Sequence, residues 1–406
     1  MASAIERLPS LKYVKFGTSD MMVSEVCGGT MMWGSLNKEE KMAHDQLDAL
    51  VRLGVNFLDS AELYPVPHAG GKVTEEWMGN WLEKAIADGK VKRDKLYIAS
   101  KANPSNLGAP DIAGRTKPYG FDAESLMASC KASIARMKCQ YIDLYYLHWP
   151  TRDTPIFGCA SFYAEGKERP MPHFDKGTVA DFEAQVLAIK TLLDAGLIKY
   201  WALSNENNYG VAMFCMICDK LGVARPVCVQ NDYSLANRTF ESDGYESCHR
   251  FGIVSCHYGA LAGGVLTGKY LRDSPYAKKD PGRSLADCRH KAKPGFQPRY
   301  GFKTTMQASE RYQQIAERIG LTPTELALAW AKQRPFVGSV IIGTTTVRQV
   351  EECVGAFLIK ELPAEVMKEI DEIHEERPNP SMHYTCKDIL EEAKWLGPGA
   401  VKACDA

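Results

Sequence analysis

Four polar residues follow apolar runs of the sequence closely. Asp59 ends "VNFLD", Lys101 follows "KLYIAS" and His148 ends "YIDLYYLH", while Tyr64 comes shortly after Asp59. Short apolar runs bounded by turn residues are typical of buried strands. Each residue also has an ordinary alternative role at a strand end: a turn cap, surface packing, a solvated cation or a core histidine.

Together the four side chains suit proton donation to a carbonyl oxygen. The pKa of a free tyrosine is about 10, too high for an efficient acid or base at neutral pH. The Lys101 ammonium would lower the pKa of Tyr64, and Asp59 would hold that ammonium by a charge-assisted hydrogen bond. His148 would hydrogen-bond the substrate oxygen. The set is a tuned acid without a nucleophile, which suits protonating an oxyanion as hydride arrives at carbon.

The elements that must position these residues alternate along the chain. A β-hairpin is predicted in "LKYVKFGTSDMMVSEV", and eight short apolar runs then alternate with amphipathic stretches. Strands are predicted near 26, 55, 95, 141, 198, 226, 252 and 338. Helices are predicted over 38–53, 73–88, 123–138, 179–195, 207–221, 239–250, 306–333 and 346–357.

Eight βα repeats predict an α/β fold, a closed (β/α)8 TIM barrel with an N-terminal β-hairpin. An open doubly wound sheet is the alternative, but it usually carries G-x-G-x-x-G after its first strand, where this chain has "CGGTMMWG". We predict a barrel over 1–375 and a C-terminal extension over 376–406 that packs on or near it. Long loops, 150–178 and 270–304, follow strands four and seven, on the side where active sites lie in this fold.

Composition limits the partners. The chain has 406 residues, 45% of them hydrophobic and 24% charged, with a net charge of -1. This balance gives no reason to expect binding to nucleic acid or an acidic membrane. The N-terminus does not read as a secretory signal and the 13 cysteines are scattered, so we expect reduced thiols and a cytoplasmic protein. Cys215 and Cys218 form a C-x-x-C pair that we interpret as small apolar helix residues.

These residues resemble the aldo-keto reductase family. The similarity lies in "FLDSAELY", "IASK", "YIDLYYLHWP", "ALSN", "VQNDYSLANR", "GGVLTGKY" and "IIGTTTVRQVEE", in that order over roughly 11–360. The segments "LYPVP", "HWP" and "NDYSLANR" are most similar to the Tas-like and potassium-channel β-subunit-like branches.

The resemblance implies a role for each matching position. It makes Asp59, Tyr64, Lys101 and His148 a catalytic tetrad with Tyr64 as general acid. It places a nicotinamide cofactor, NADPH/NADP+ with NADH as the alternative, against Gly29, Thr30, Met31, Ser204, Asn205 and Gln230. It places the pyrophosphate against Tyr258, Gly259, Ala260, Leu261, Ala262, Gly264 and Lys269, and the adenosine against Gly343, Thr345, Gln349 and Glu352.

The chain departs from the family pattern at the adenosine end. Many members have an arginine at the position of Gln349, and that arginine binds the 2′-phosphate of NADPH. Many also have an asparagine at the position of Cys353. The neighbouring Arg348 is the predicted replacement for that arginine. Gly259 and Ala260 stand where Ser-Pro is usual, which is expected to loosen the phosphate clamp.

The predicted function is NADPH-dependent reduction of aldehydes or ketones to alcohols. The predicted walls of the carbonyl pocket are Trp33 and Trp149, with Tyr64 and His148 at its base. The alternative is a catalytically weak regulatory or interaction subunit with bound cofactor, whose partner protein the sequence does not identify. A metal-dependent hydrolase is disfavoured and no metal is expected, because Asp59 and His148 alone are too few ligands.

Overall fold

Ten β-strands and twelve α-helices make up the part of the chain that the structure describes. It is a computed structural model, and it describes residues 5–66, 71–104, 120–152, 154–157, 176–272, 274–278 and 284–381. The strands are β1 (Tyr13–Lys15), β2 (Met22–Ser24), β3 (Val26–Gly29), β4 (Phe57–Asp59), β5 (Tyr97–Ala102), β6 (Ile142–Leu147), β7 (Ile198–Ser204), β8 (Cys228–Gln230), β9 (Val254–His257) and β10 (Val337–Gly343). The helices are α1 (Glu40–Arg52), α2 (Val73–Ala87), α3 (Ala123–Arg136), α4 (Val179–Asp194), α5 (Asn208–Leu221), α6 (Phe240–Asp243), α7 (Tyr245–Phe251), α8 (Arg289–Ala292), α9 (Lys303–Arg318), α10 (Pro323–Lys332), α11 (Val347–Ala356) and α12 (Ala364–Glu376).

Strands β3 to β10 close into a parallel barrel. Each strand pairs with the next along the chain, and β10 pairs with β3 to close the ring, with Val340 opposite Val26. The predicted (β/α)8 TIM barrel is therefore confirmed, with all eight predicted strands in place. Because the strands are parallel, their carboxyl ends all lie at one end of the barrel, which is its mouth.

The predicted hairpin is also confirmed, and it covers the opposite end of the barrel. Strands β1 and β2 pair antiparallel. Phe16, in the turn between them, is fully buried and lies edge-on to Phe57 of β4, with 5.3 Å between ring centroids. The hairpin thus closes the amino-terminal end of the barrel and leaves the mouth as the open end.

One predicted helix, 306–333, is wrong because the chain forms two helices there. Gly320 adopts a left-handed conformation after α9, which favours glycine and ends the helix. Thr322 then caps α10 by accepting a hydrogen bond from the Glu325 N–H, in a capping box with Pro323 as the first helical residue.

Two smaller differences lie elsewhere. The predicted helix 239–250 is split at Gly244 into α6 and α7, because Gly244 leaves helical conformation. Helix α12 was not predicted. None of the described helices is long and apolar enough to cross a membrane.

The long loops and the tail are described in part. Residues 153 and 158–175 of the first loop and 273 and 279–283 of the second lie outside the described residues. Ser381 Oγ donates to the Ala236 carbonyl oxygen at 2.8 Å, so the first residues after α12 contact the barrel. Residues 382–406 are not described, and the division at 375 stays a prediction.

Candidate active site

The four polar residues predicted at strand ends meet at the mouth of the barrel. Asp59 is the last residue of β4, Lys101 lies near the end of β5, and His148 follows β6 directly. Tyr64 lies in the loop after β4, and all four side chains are buried. Three neighbouring parallel strands therefore bring together side chains that are far apart in the sequence.

The ammonium of Lys101 lies at the centre of this group. Its Nζ donates to Asp59 Oδ2 at 2.5 Å, to the Ser60 carbonyl oxygen at 2.8 Å and to Tyr64 Oη at 3.3 Å. Burial by itself would lower the pKa of Lys101, but Asp59 and Tyr64 raise it above its usual value. Three acceptors use all three ammonium hydrogens. Tyr64 accepts from the cation, so its own hydrogen is available for donation.

The expected net lowering of the pKa of Tyr64 is not found. Burial raises the pKa of Tyr64 above its usual value, and the opposing effect of the Lys101 cation is smaller. Asp59 adds to the rise, because a phenolate would be a second buried anion beside it. Tyr64 is therefore a neutral phenol at neutral pH, which is the form a proton donor needs.

His148 is held at both its ring and its backbone. Burial, followed by the nearby Lys101 cation, lowers the pKa of His148 well below its usual value, so the ring is neutral. Its Nδ1 lies 2.8 Å from Asn103 Oδ1, and its carbonyl oxygen accepts from Asn205 Nδ2 at 2.8 Å. The sequence reasoning missed Asn103, although its place two residues after Lys101 at the end of β5 was a usable signal.

The contact with Asn103 decides which nitrogen of His148 carries the hydrogen. With Asn103 Oδ1 facing the ring, Nδ1–H donates and Nε2 holds a lone pair. A half-turn of the planar amide presents its NH2 to Nδ1 and leaves the hydrogen on Nε2. Only the second arrangement lets neutral His148 donate to a carbonyl oxygen.

A cavity of about 530 Å³ runs from these residues across the mouth of the barrel. Tyr64 and His148 lie at one end of it, and Gly343 and Gln349 lie where β10 meets α11. The predicted residues that line it are Gly29, Thr30, Met31, Asp59, Tyr64, His148, Trp149, Ser204, Asn205, Gln230, Tyr258, Gly259, Ala260, Leu261, Gly264, Lys269, Gly343, Thr345, Gln349 and Glu352.

Four predicted site residues do not line the cavity. Lys101 is fully buried next to it and donates to Tyr64 Oη. Ala262 is buried in the core. Trp33, predicted as a pocket wall, is instead packed in the hydrophobic core under α2, where its carbonyl oxygen accepts from Thr74 Oγ1 at 2.8 Å.

Arg348 is the fourth predicted residue that does not line the cavity, and its place on helix α11 explains why. Gln349, Glu352 and Cys353 are spaced by three and four residues and share the face of α11 that lines the cavity. Arg348 precedes this face by one residue, and it is exposed. Arg348 therefore does not line the cavity that the described residues form.

One wall of the cavity near Tyr64 is apolar. Met31, Leu63, Val66 and Trp149 line it together with Phe157. The ring of Trp149 lies 6.2 Å from that of Phe157, centroid to centroid, in an edge-on arrangement. Phe157 was not predicted, because it lies in the irregular loop after β6 where no period marks a residue as facing the cavity. This wall can hold an aromatic or aliphatic group.

Polar side chains from β7 and β8 form the facing wall. Gln230 Nε2 donates to Asp59 Oδ1 at 2.9 Å, and Ser204 Oγ donates to the Gln230 carbonyl oxygen at 2.9 Å. Tyr258 Oη donates to Asn205 Oδ1 at 2.6 Å. Amides and hydroxyls fixed in this way fit a carboxamide group, as the resemblance implies.

The loop after β9 forms a cradle that a side chain would fill. Gly263 and Gly264 both have left-handed backbone conformations. A Cβ on Gly264 would lie 2.9 Å from Lys269 Nζ, so glycine is what allows the cation to approach this backbone so closely. A lysine over an open glycine backbone fits the phosphates of a dinucleotide.

Gly259, expected to loosen this loop, is packed closely. It has φ +76°, and a Cβ there would lie 2.3 Å from Asp232 Oδ1 and 2.7 Å from Tyr300 Oη. Asp232 accepts from Arg299 Nε at 2.9 Å and from Tyr300 Oη at 2.8 Å. The space that a serine would need is taken by this buried ion pair, which ties the loop after β9 to the end of β8.

The cysteines of the C-x-x-C pair do not line the cavity. Cys215 and Cys218 lie buried in α5, where burial raises the pKa of each thiol to about 12. Among the described residues, no group of three or more His, Cys, Asp or Glu side chains is arranged to hold a metal ion.

Comparisons with known proteins agree with the fold and the motifs. The model of the aldo/keto reductase family matches residues 25–375. The chain is 33% identical to "Protein tas" of Escherichia coli over 367 residues, which covers 90% of this chain and 98% of that protein. It is 26% identical over 385 residues to a probable voltage-gated potassium channel subunit beta of rice, covering 92% of this chain and 100% of that protein.

A third relative carries the family's own name. An aldo-keto reductase of Babesia bovis is 34% identical over 233 residues, which covers 56% of this chain and 78% of that protein. The family match covers most of the barrel, including the ends of the strands that carry Asp59, Lys101 and His148. The chain therefore belongs to the aldo/keto reductase family of oxidoreductases.

Proposed function

We propose that this protein reduces aldehydes or ketones to alcohols with NADPH, and that Tyr64 is the general acid. The observation that carries the proposal is the arrangement around Lys101. Its ammonium donates to Asp59, to the Ser60 carbonyl oxygen and to Tyr64 Oη, and Tyr64 lines the cavity. Tyr64 can therefore pass its proton to an oxygen in the cavity while the adjacent cation stabilises the phenolate that is left.

The bound cofactor would supply hydride to the carbonyl carbon. His148 would donate Nε2–H to the carbonyl oxygen, with the Asn103 amide turned to donate to Nδ1, and so orient that oxygen toward Tyr64. Asp59 holds Lys101 in place and does not itself give up a proton. Ser204, Asn205 and Gln230 would hold the carboxamide, and the loop over Gly264 and Lys269 would hold the phosphates.

The cavity walls favour a carbonyl compound with an apolar body. Leu63, Val66, Trp149 and Phe157 line the cavity near Tyr64, and they offer apolar and aromatic surface rather than charge. We therefore propose aromatic or medium-sized aliphatic aldehydes and ketones as substrates, rather than phosphorylated sugars.

The test is NADPH oxidation over a panel of aldehydes, ketones and quinones, with Tyr64→Phe as the main variant. We expect Tyr64→Phe to lower turnover by at least about a thousandfold, because the proton donor is gone. NADPH affinity should change little, since the ring stays beside Lys101, whose Nζ lies 4.8 Å from its centroid.

A matched control is Tyr146→Phe. Tyr146 is also buried, lies 5.6 Å from Lys101 Nζ at its ring centroid, and points its hydroxyl at Cys228 rather than into the cavity. Its hydroxyl also interacts with Gln230, so its loss should lower turnover far less than the loss of Tyr64 rather than leave it identical. Equal turnover of Tyr64→Phe and the unmodified protein would refute the general acid.

The second candidate is a regulatory subunit that binds the cofactor and turns over slowly. It is favoured by the similarity to the rice protein named as a probable potassium channel subunit beta. The same panel separates the two functions: negligible turnover on every carbonyl, with tight NADPH binding and a stable protein partner, would support the regulatory role.

A further inference from the structure

The hydrogen bonds between β4 and β5 continue into the loop that carries Tyr64. The Ser60 N–H donates to the Ala99 carbonyl oxygen at 2.9 Å, and the Glu62 N–H donates to the Lys101 carbonyl oxygen at 3.3 Å. Donors spaced by two residues are the pattern of a parallel pair of strands. The first residues of this loop therefore still follow β5, although they lie beyond the end of β4.

At Glu62 a side chain takes the place of a backbone acceptor. In a regular parallel pair, the Glu62 carbonyl oxygen would accept from the Asn103 N–H. Instead that carbonyl oxygen accepts from the Lys72 N–H at 3.1 Å, and Glu62 Oε1 accepts from the Asn103 N–H at 2.7 Å. Both residues are buried, so the Asn103 N–H needs an acceptor within the protein. The carboxylate thus lets the loop leave the sheet while the end of β5 stays hydrogen-bonded.

Asn103 connects this contact to the ring of His148. Asn103 Oδ1 lies 2.8 Å from His148 Nδ1, so the Asn103 side chain contacts the ring nitrogen whose hydrogen sets the tautomer. The backbone from which this side chain extends is fixed by Glu62, three residues after Asp59 and two before Tyr64. One buried carboxylate therefore joins the loop of Tyr64 to the residue that contacts His148.

A second buried carboxylate nearby provides a comparison. Glu75 of α2 is also fully buried, but it accepts from Ser100 Oγ at 2.5 Å and from Arg136 Nε at 2.7 Å. These contacts fasten α2 and the end of α3 to β5. Glu75 is thus matched to Glu62 in burial and differs from it in the groups that it holds.

We propose that Glu62 is a positioning residue for carbonyl reduction, and that its carboxylate holds Asn103 where the Asn103 side chain sets the tautomer of His148. The inference rests on the proposed function, because it gives His148 a donor's role toward the carbonyl oxygen. The role of Glu62 is that of a hydrogen-bond acceptor. A glutamine, which keeps a carbonyl oxygen at the same distance along the side chain, can therefore replace it.

The experiment measures kcat and the NADPH Kd for Glu62→Ala, Glu62→Gln and Glu75→Ala, each alone and combined with Asn103→Leu. We expect Glu62→Ala to lower kcat by roughly tenfold, because His148 loses its fixed tautomer. The NADPH Kd should stay within about twofold, because Glu62 does not line the cavity. Glu62→Gln should keep kcat within about threefold of the unmodified protein.

The combination with Asn103→Leu separates positioning from a general loss of stability. In that background Glu62→Ala should change kcat by less than about twofold, because the contact that it serves is already gone. Glu75→Ala should lower the urea midpoint, and its effect on kcat should be the same with and without Asn103→Leu. If Glu62→Ala does not fold, Glu62→Gln decides, since a tenfold loss of kcat in that variant would contradict the acceptor role.

Nitrogen NMR spectra of the histidine rings give a readout that needs no turnover. They distinguish a ring nitrogen that carries a hydrogen from one with a lone pair, and the His148 signals are identified by their absence in His148→Gln. These signals should change in Glu62→Ala and stay the same in Glu62→Gln and Glu75→Ala.

Two results would overturn the role of Glu62 and leave the proposed function intact. One is an equal loss of kcat in Glu62→Gln and Glu62→Ala, and the other is an undiminished effect of Glu62→Ala in the Asn103→Leu background. Failure of the unmodified protein to reduce any carbonyl would overturn the proposed function instead. The His148 spectra would then decide whether Glu62 positions the ring, and unchanged signals in Glu62→Ala would show that it does not.

Discussion

The two ends of the cavity are built in different ways. At the reacting end, Asp59, Lys101 and His148 lie at or next to the ends of three adjacent strands. Hydrogen bonds from Lys101 to Asp59 and between His148 and Asn103 hold these side chains in place. The other end, which the resemblance assigns to the adenosine, is called the adenosine end below. Its wall is the loop after β9 and the start of α11, and the ion pair of Arg299 with Asp232 connects this loop to the end of β8. The proposed chemistry needs fixed atoms, which the strand ends supply, whereas the other end of the cavity is built from loop residues.

The largest loss of stability and turnover is expected for Lys101→Met, at the reacting end of the cavity. This change leaves Asp59 buried without its cation, which costs about 3–5 kcal/mol of the free energy of unfolding. Carbonyl reduction should fall by at least about a thousandfold, because Tyr64 loses the charge that stabilises its phenolate. Urea unfolding and NADPH oxidation measure the two effects.

The control for that prediction is the double variant Asp59→Asn with Lys101→Met. It removes both charges, so it should regain much of the lost stability without regaining turnover. If Lys101→Met alone unfolds at the same urea concentration as the unmodified protein, the pair does not hold the reacting end together.

A smaller effect is expected from Asn103→Leu, which leaves all four tetrad residues in place. Without Asn103 the tautomer of His148 is no longer set, so kcat should fall roughly tenfold to a hundredfold. NADPH Kd should stay the same, because Asn103 does not line the cavity. An unchanged kcat would show that His148 is oriented by its backbone contact with Asn205 instead.

The same contrast explains what could be predicted from the sequence. Asp59, Lys101 and His148 were found because apolar runs mark the strands and parallel strands end together. Arg289, which lines the cavity, was not predicted, because the loop of 270–304 contains several Arg and Lys residues and no period that ranks one above another. Trp33 was misplaced because an aromatic residue after a strand can turn toward the mouth or toward the helices.

The boundary between α9 and α10 could have been predicted. Gly320 and Pro323 lie between these helices and are residues that typically end and begin a helix, but the prediction of one helix did not use them.

Gly259→Ser tests whether the close packing of Gly259 against Asp232 stabilises the adenosine end of the cavity. The change installs the residue that is usual in the family, yet here it should destabilise the protein by about 1–3 kcal/mol, because φ is +76° and a Cβ would collide with Asp232. NADPH binding should weaken several-fold, roughly in proportion to the strain passed to the loop. Tighter binding with unchanged stability would mean that the glycine only loosens the loop.

The smallest expected effect is on the pH dependence of stability, and it involves one buried histidine at each end of the cavity. Burial lowers the pKa of His148 well below its usual value, and burial together with Arg289 and Lys269 lowers that of His290 to about 3. In the unfolded chain both histidines bind a proton at a pKa of about 6.5. The stability that comes from keeping them neutral is therefore complete above that pH, and it is lost as the pH falls toward their pKa values in the folded protein.

His290→Gln should therefore leave the pH dependence of stability unchanged above about pH 7 and reduce its slope by roughly 1.4 kcal/mol per pH unit on the acid side. His249→Gln, at an exposed position, is the control and should leave the slope as it is. Urea midpoints measured from pH 7 down to pH 5 give the slope. An equal slope in all three proteins would mean that His290 takes up its proton without unfolding the loop after β9. In that case the folded protein holds a protonated His290 at the adenosine end. It does not hold a protonated His148 at the reacting end, because the Lys101 cation lies beside that ring.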